Sequence, residues 1–182
     1  MVDEFSAFAR MPAPRFAEHD AAELLRQAVF AQRVADPDTQ VEIDESLPEA
    51  LLVCDARMVG QALTNVLKNA GEAIAARRAV QPEPAGRIIT RLIVDSGHLT
   101  FEIEDNGVGL PAKDRDRLTE PYVTTREKGT GLGLAIVKRI LEEHAGELTL
   151  ADAAARPGAR VCLVFPFSRR ADAPKSADAV TA

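Results

Sequence analysis

Two short segments of this chain concentrate glycine around polar groups: Asp105-Asn106-Gly107-Val108-Gly109 and Gly129-Thr130-Gly131-Leu132-Gly133-Leu134. The second opens a run with helical apolar spacing. Glycines at a helix start let the backbone come close to a ligand and aim free N–H groups at an anion, with the helix dipole adding attraction. That arrangement suits a phosphate. The two commonest phosphate motifs do not fit. A Walker A loop needs a Gly-Lys pair, which the chain lacks. A dinucleotide fingerprint needs GxGxxG directly after a strand. Here the spacing is GxGxG, Leu134 stands where the last glycine would fall, and a long polar loop precedes it. Taken alone, either cluster could be an ordinary turn.

A third segment, Asn65-Val66-Leu67-Lys68-Asn69-Ala70-Gly71-Glu72-Ala73, sets two asparagines at i and i+4, so both amides share one helix face. Asparagine is a below-average helix former, and two amides amid an apolar period cost stability unless they are used. An amide oxygen is a neutral, hard ligand suited to Mg²⁺, which keeps most of its waters and borrows phosphate oxygens. The plainer reading is a pair of amides facing solvent.

These segments need elements to hold them. Asp20 suits an N-cap, followed by Leu24, Leu25, Ala28, Val29 and Val34 on one helical face. Asp36-Pro37-Asp38 reads as a turn, Gln40–Ile43 alternates like a strand, and the continuous apolar run Leu51–Cys54 predicts a buried strand. Asp55 caps a long helix, residues 56 to about 78, with Val59, Ala62, Leu63, Val66, Leu67, Ala70 and Ile74 as its apolar stripe. Residues 87–95 and 98–104 predict a hairpin joined at Ser96-Gly97. A polar loop fills 105–130, and a helix follows over about 131–144, with Gly146 placed to end it. Strands over 147–151 and 160–167 flank an Arg156-Pro157-Gly158 turn. Hairpins interleaved with helices predict an α+β, two-layer α/β sandwich: one mixed sheet with helices on one face.

Composition narrows the classes. With 182 residues, 46% hydrophobic and 27% charged, the chain suits one globular domain with short appendages. A net charge of −6, one Tyr and no Trp argue against a nucleic-acid binder, which needs Lys/Arg neutralisation and stacking platforms. Cys54 and Cys162 stand in apolar runs and read as reduced core residues. With no CxxC pair, and with His19, His98 and His144 far apart, no zinc site is expected; each histidine reads as solvent-exposed or capping. No apolar stretch reaches the roughly 18–20 residues of a membrane span, and the N-terminus lacks the pattern of a secretory signal. These features predict a cytoplasmic protein, or the cytoplasmic part of a larger one with or without a membrane anchor.

In order, the three segments resemble the catalytic, ATP-binding domain of sensor histidine kinases, within the wider gyrase/Hsp90/histidine kinase/MutL superfamily. Asn65-Val66-Leu67-Lys68-Asn69-Ala70-Gly71-Glu72-Ala73 is similar to the N box, Asp105-Asn106-Gly107-Val108-Gly109 to the G1 box, and Gly129-Thr130-Gly131-Leu132-Gly133-Leu134 to the G2 box. Glu120-Pro121-Tyr122-Val123-Thr124-Thr125-Arg126 is similar to the F box, with Tyr where Phe is usual and Arg where Lys is common. The short lid and the Phe5-Ser6-Ala7-Phe8-Ala9-Arg10-Met11-Pro12 segment most resemble the nitrogen-regulation, NtrY/NtrB type.

The resemblance implies a Bergerat ATP-binding fold with a flexible lid, ATP and Mg²⁺ as ligands, and a set of roles. Asp105 would accept a hydrogen bond from the adenine amine. Asn69 would bind Mg²⁺, with Asn65 as second ligand or water anchor. Gly107 and Gly109 would let the chain turn under the base. Residues 110–128 would form the lid, from which Tyr122, Thr124, Thr125, Arg126 and Lys128 reach the nucleotide, Arg126 neutralising charge on the transferring γ-phosphoryl. Gly129 and Gly131 would be hinges, and Thr130 with the N–H groups of Leu132, Gly133 and Leu134 would hold phosphate oxygens. One departure stands out: Gly158-Ala159 replaces the Gly-Thr that often begins the last strand, so a hydroxyl that would help fix Asp105 is missing.

ATP-hydrolysing members of the superfamily place a glutamate four residues before the metal-binding Asn as general base; here Asn65 stands there. That favours phosphoryl transfer to a protein histidine over hydrolysis. None of the three histidines has the expected phosphoacceptor context, so the acceptor is expected on a dimerisation domain of the same kinase, with relay to a response regulator and a homodimer in the whole protein. The expected division is a dimerisation-helix end over 1–12, the catalytic domain over 13–167 and a disordered tail over 168–182. An ATP hydrolase or a nucleotide-sensing interaction module are the alternatives.

Overall fold

The computed structural model describes residues 12–44, 47–95, 97–112, 115–123, 130–154 and 157–168. The expected helix end before Pro12, the tail beyond Ser168, and Thr124, Thr125, Arg126, Lys128 and Gly129 of the site lie outside the described residues.

Three helices pack on one face of a sheet. Strand β1 (Ala17–Asp20) leads into α1 (Ala21–Ala35), then β2 (Gln40–Ile43), β3 (Leu51–Cys54) and the long α2 (Ala56–Arg78). The hairpin β4 (Arg87–Val94) and β5 (His98–Asp105) comes next, then a loop containing a 3-10 turn (Arg115–Thr119). Helix α3 (Gly133–Glu143) and the hairpin β6 (Glu147–Asp152) and β7 (Ala159–Pro166) complete the fold. The main sheet has the order β2-β4-β5-β7-β6, parallel only between β2 and β4. The expected α+β sandwich with a mixed sheet is therefore present.

Local chemistry explains the elements. The Asp20 carboxylate accepts from the N–H groups of Ala22 (2.8 Å) and Glu23 (3.3 Å), and the Asp55 carboxylate accepts from Met58 N (3.1 Å), so both caps satisfy otherwise orphaned donors. Along β5 the side chains of Leu99, Phe101, Ile103 and Asp105 are buried, while Thr100, Glu102 and Glu104 are half-buried on the other face. That outer face is held by ion pairs such as Arg91–Glu102 (2.5 Å) and Arg87–Glu42 (2.5 Å). The inner face packs against α2 and α3, with Phe101 and Phe165 edge to face at 5.9 Å.

Several expectations change. β1 was not anticipated; it pairs antiparallel with β3 in a separate two-stranded sheet. Because that small sheet is covered on one side only, Leu51 and Val53 are each 57% exposed and β3 is half-buried, not buried. Val34 is 68% exposed, since ten residues beyond Leu24 the helix has turned it off the apolar face. α3 starts at Gly133 because Gly131 has φ +69°, which no helix accommodates. At its other end Ala145 (φ +52°), not Gly146, takes the left-handed position. Gly146 is required by space: a Cβ there would lie 2.4 Å from Val164 O.

His144 is the C-cap residue of α3, in line with the capping reading, and at 7% exposed it is buried and not at the surface. Its Nε2 accepts from Asp55 N (3.0 Å) and its Nδ1 lies 2.7 Å from Ile140 O, which places the proton on Nδ1. The ring therefore ties the end of α3 to the start of α2. It also meets Phe16 and Phe165 edge-on, at 5.1 and 5.7 Å. His98 is exposed, 3.6 Å from Asp95. Cys54 is buried and Cys162 half-buried, both free thiols; burial pushes Cys54 up to about 11. Among the described residues no helix is long and apolar enough to cross a membrane.

Candidate functional site

The site is built where α2, the end of β5 and the start of α3 converge. The apolar stripe of α2 turns Val66, Leu67 and Ala70 inward, which leaves Asn65 and Asn69 together on a half-buried flank. That flank faces the first turn of α3: Asn65 Nδ2 donates to Gly133 O (3.5 Å). A Cβ at Gly133 would lie 3.6 and 3.7 Å from the amide nitrogen and oxygen of Asn69. The two amides thus border the glycine-opened helix start predicted to bind phosphate. α3 has no side-chain N-cap; its cap position is Leu132, whose side chain is buried. Thr130 Oγ1 instead accepts from Leu132 N (3.4 Å), and Leu134 is half-buried.

Asp105 ends β5. It is 6% exposed, and its Oδ1 accepts from Gly107 N (2.8 Å) and from Ala159 N (3.4 Å). The second bond comes from the start of β7, whose backbone N–H helps orient the carboxylate. The turn after Asp105 is pressed onto α2. Val108 N donates to Ala73 O (3.2 Å), and a Cβ at Gly107 would lie 2.6 Å from the Ala73 carbonyl carbon. Gly107 is therefore demanded by close approach to the helix that carries Asn69. Gly109 has φ +79° and approaches Gly158, where a Cβ would lie 2.1 Å from Asp105 O. Gly158 and Ala73 stand in segments the sequence marks, but their roles in the site's frame are backbone contacts between distant segments that residue types do not reveal.

The loop between β5 and α3 is pinned at Tyr122. Tyr122 N donates to Gly131 O (3.1 Å), and a Cβ at Gly131 would lie 2.6 Å from the Tyr122 carbonyl carbon. Tyr122 has φ +66° and is 61% exposed; its backbone, rather than its ring, meets the glycine cluster. Glu72 is exposed on α2, three residues past Asn69.

Charge at the far end of α2 is fixed by the cap. Burial pushes the Asp55 carboxyl up, but the Arg15, Met58 and Arg57 N–H groups and the Arg57 charge outweigh it, holding the group below its ordinary value. A separate cavity of about 430 Å³ lies beyond the end of β5, lined by Arg77, Arg87, Glu104, Pro157 and Asp105 among others. Of the predicted site residues it shares Asp105 alone. The Arg77 guanidinium there is buried; Nη1 donates to Gln81 O (3.3 Å) and Nη2 to Pro84 O (2.6 Å), closing the loop after α2, while among the described residues its Nε has no partner. Among the described residues no cluster of three His, Cys, Asp or Glu could hold a metal ion. A cation would therefore depend on amide oxygens, water and the ligand's own phosphates.

Comparison with known proteins accords with this geometry. The profile of the histidine kinase-, DNA gyrase B- and HSP90-like ATPases matches residues 54–169. The chain is 49% identical over 179 residues to the nitrogen regulation protein NtrY of Azorhizobium caulinodans, covering 97% of this chain and 22% of that protein. It thus spans between a fifth and a quarter of the length of such relatives. Among solved structures it superposes on the mycobacterial sensor histidine kinase MprB with a TM-score of 0.72 at 30% identity, covering 84% of this chain and 98% of that one. Full-length ShkA in complex with AMPPNP gives a TM-score of 0.75 at 27% identity, covering 92% of this chain and 35% of ShkA. With its matched profile and its NtrY-like sequence, the chain belongs to the histidine kinase-, DNA gyrase B- and HSP90-like ATPase family, on the side of the sensor histidine kinases.

Proposed function

We propose that this chain is the ATP-binding catalytic domain of a two-component sensor histidine kinase of the NtrY type. It binds ATP with Mg²⁺ and donates the γ-phosphoryl to a histidine on the dimerisation domain of the same, homodimeric kinase, for relay to a response regulator. Residues 13–167 form that domain, in the cytoplasmic part of the kinase. The observation that carries the reading is Asp105: a buried carboxylate that accepts from two backbone N–H groups and leads into a glycine turn pressed onto the helix that bears the two amides.

In this reading Asp105 accepts from the adenine N6 amine and rejects guanine, whose carbonyl would face an unpaired buried acceptor. Gly107 and Gly109 keep the turn close under the base. Asn69, with Asn65 as second ligand or water anchor, is suited to hold Mg²⁺, which supplies charge neutralisation between the phosphates when bound. The N–H groups of Leu132, Gly133 and Leu134, with Thr130, hold phosphate oxygens at the α3 dipole. Gly129 and Gly131 act as hinges, Tyr122, Thr124, Thr125 and Lys128 contact nucleotide, and Arg126 neutralises charge developing on the transferring group. Asn65 is an amide and cannot serve as general base for water, so the phosphoryl is kept for a protein nucleophile.

The test is transfer from ATP by this chain to the purified dimerisation domain of its own kinase. Labelling that depends on Mg²⁺ and is lost in Asn69→Ala is the expected result. Rapid phosphate release without acceptor, abolished by Asn65→Ala, would instead indicate a hydrolase; tight ATP binding without transfer would indicate a nucleotide-sensing module.

A further inference from the structure

Arg115 opens the 3-10 turn inside the loop that joins β5 to α3. Its guanidinium faces two ways. Nε donates to Pro111 O (2.9 Å), which folds the loop onto itself, and Nη2 donates to Asp152 Oδ1 (2.6 Å) at the end of β6. The side chains are 39% and 22% exposed, so the pair is partly withdrawn from water, and its bond is short in the manner of charge-assisted ones. Asp152 lies opposite Ala159 across the β6–β7 hairpin, and Ala159 N donates to Asp105 Oδ1. One hairpin tip therefore carries the loop on one side and the buried Asp105 on the other. The 3-10 turn also packs on α3, whose first turn holds Gly133.

We propose that the Arg115–Asp152 ion pair fastens this loop to the nucleotide site and sets how fast bound nucleotide leaves. Arg115 is a positioning residue: it acts through the loop and the β6–β7 hairpin, not by touching nucleotide. A planar fork is needed because one side chain satisfies a carbonyl within its loop and a carboxylate on a strand at once; the single point charge of lysine cannot match both. The inference rests on the nucleotide-binding reading above.

Stopped-flow release of a fluorescent ADP analogue, with Mg²⁺ present, tests it on this chain. Arg115→Ala and Asp152→Asn are each expected to raise the release rate about fivefold, as befits a partly exposed pair, with association unchanged. The Arg115→Ala/Asp152→Asn double variant is expected to release no faster than Arg115→Ala alone, because that substitution already removes the ion pair along with the bond to Pro111 O. Arg115→Asp with Asp152→Arg should slow release relative to Arg115→Ala but not to the unaltered rate, since the bond to Pro111 O is not rebuilt. Wild-type release in Arg115→Ala, or in Arg115→Gln where the alanine variant does not fold, overturns the inference, even if melting temperature falls. Failure of the unaltered chain to bind the analogue overturns the nucleotide-site reading itself.

Discussion

Asp105→Asn separates recognition of the base from support of the fold. The carboxylate does two things at once in this structure: Oδ1 accepts from Gly107 N and Ala159 N, and the group is 6% exposed beside the proposed base position. Truncation to alanine would strip both N–H groups of their acceptor, at about 1–3 kcal/mol for each donor left unpaired. Lost binding in that variant would then be ambiguous. Asparagine keeps an oxygen for those two donors and removes the charge, so stability should fall by less than about 1 kcal/mol. A hydrogen bond to a charged group contributes about 1.5–3 kcal/mol, so ATP affinity should drop between about tenfold and a hundredfold. GTP affinity should fall less than ATP affinity, or rise, because the amide can donate to guanine's carbonyl. Calorimetric titration with both nucleotides, paired with a denaturant melt, reads the two effects separately. ATP affinity within twofold of the unaltered chain, with the fold intact, would refute the role given to Asp105.

Gly158→Ala sets a methyl 2.1 Å from Asp105 O, so β7 must shift off β5; overpacking of this kind costs about 1–3 kcal/mol, and urea unfolding together with weakened nucleotide binding checks it. His144→Ala leaves Asp55 N without its partner and opens a cavity between Phe16 and Phe165, while Ile140 O keeps the backbone N–H of residue 144, and it should lower unfolding free energy by at least about 2 kcal/mol in the same assay. The Asp55 carboxyl is held below its ordinary value of 3.8, so its stabilisation is present above that pH and is lost as pH falls through the lowered value. Unfolding followed between pH 6 and 2 should show that acid limb flattened in Asp55→Asn.

The asparagines of α2 were legible because a helix of 23 residues carries its period through many turns, so the flank that Asn65 and Asn69 share follows from counting. Asp105 was legible as the last residue of an alternating strand followed by glycines. β1 was not: its four residues are mostly exposed and carry no period, and they become a strand only by pairing with β3, more than thirty positions on. Gly146 looked like a helix terminator, yet a carbonyl on β7 requires it while Ala145 makes the turn. His144 looked peripheral because nothing near it in the chain shows that Asp55 N will donate to its ring.

The phosphate-suited glycine clusters, the paired amides and the alternation of hairpins with helices were determined by the sequence alone, since each depends on neighbours within a few turns or residues. The tertiary structure decided which of these meet. Asn65 reaches Gly133 across 68 positions, and Ala159 N reaches Asp105 across 54. Such contacts are made by main-chain groups that every residue carries, so residue types do not encode them. They exist because β5 pairs with β7 and α2 packs beside α3, and only the folded sheet brings those strands and helices into register.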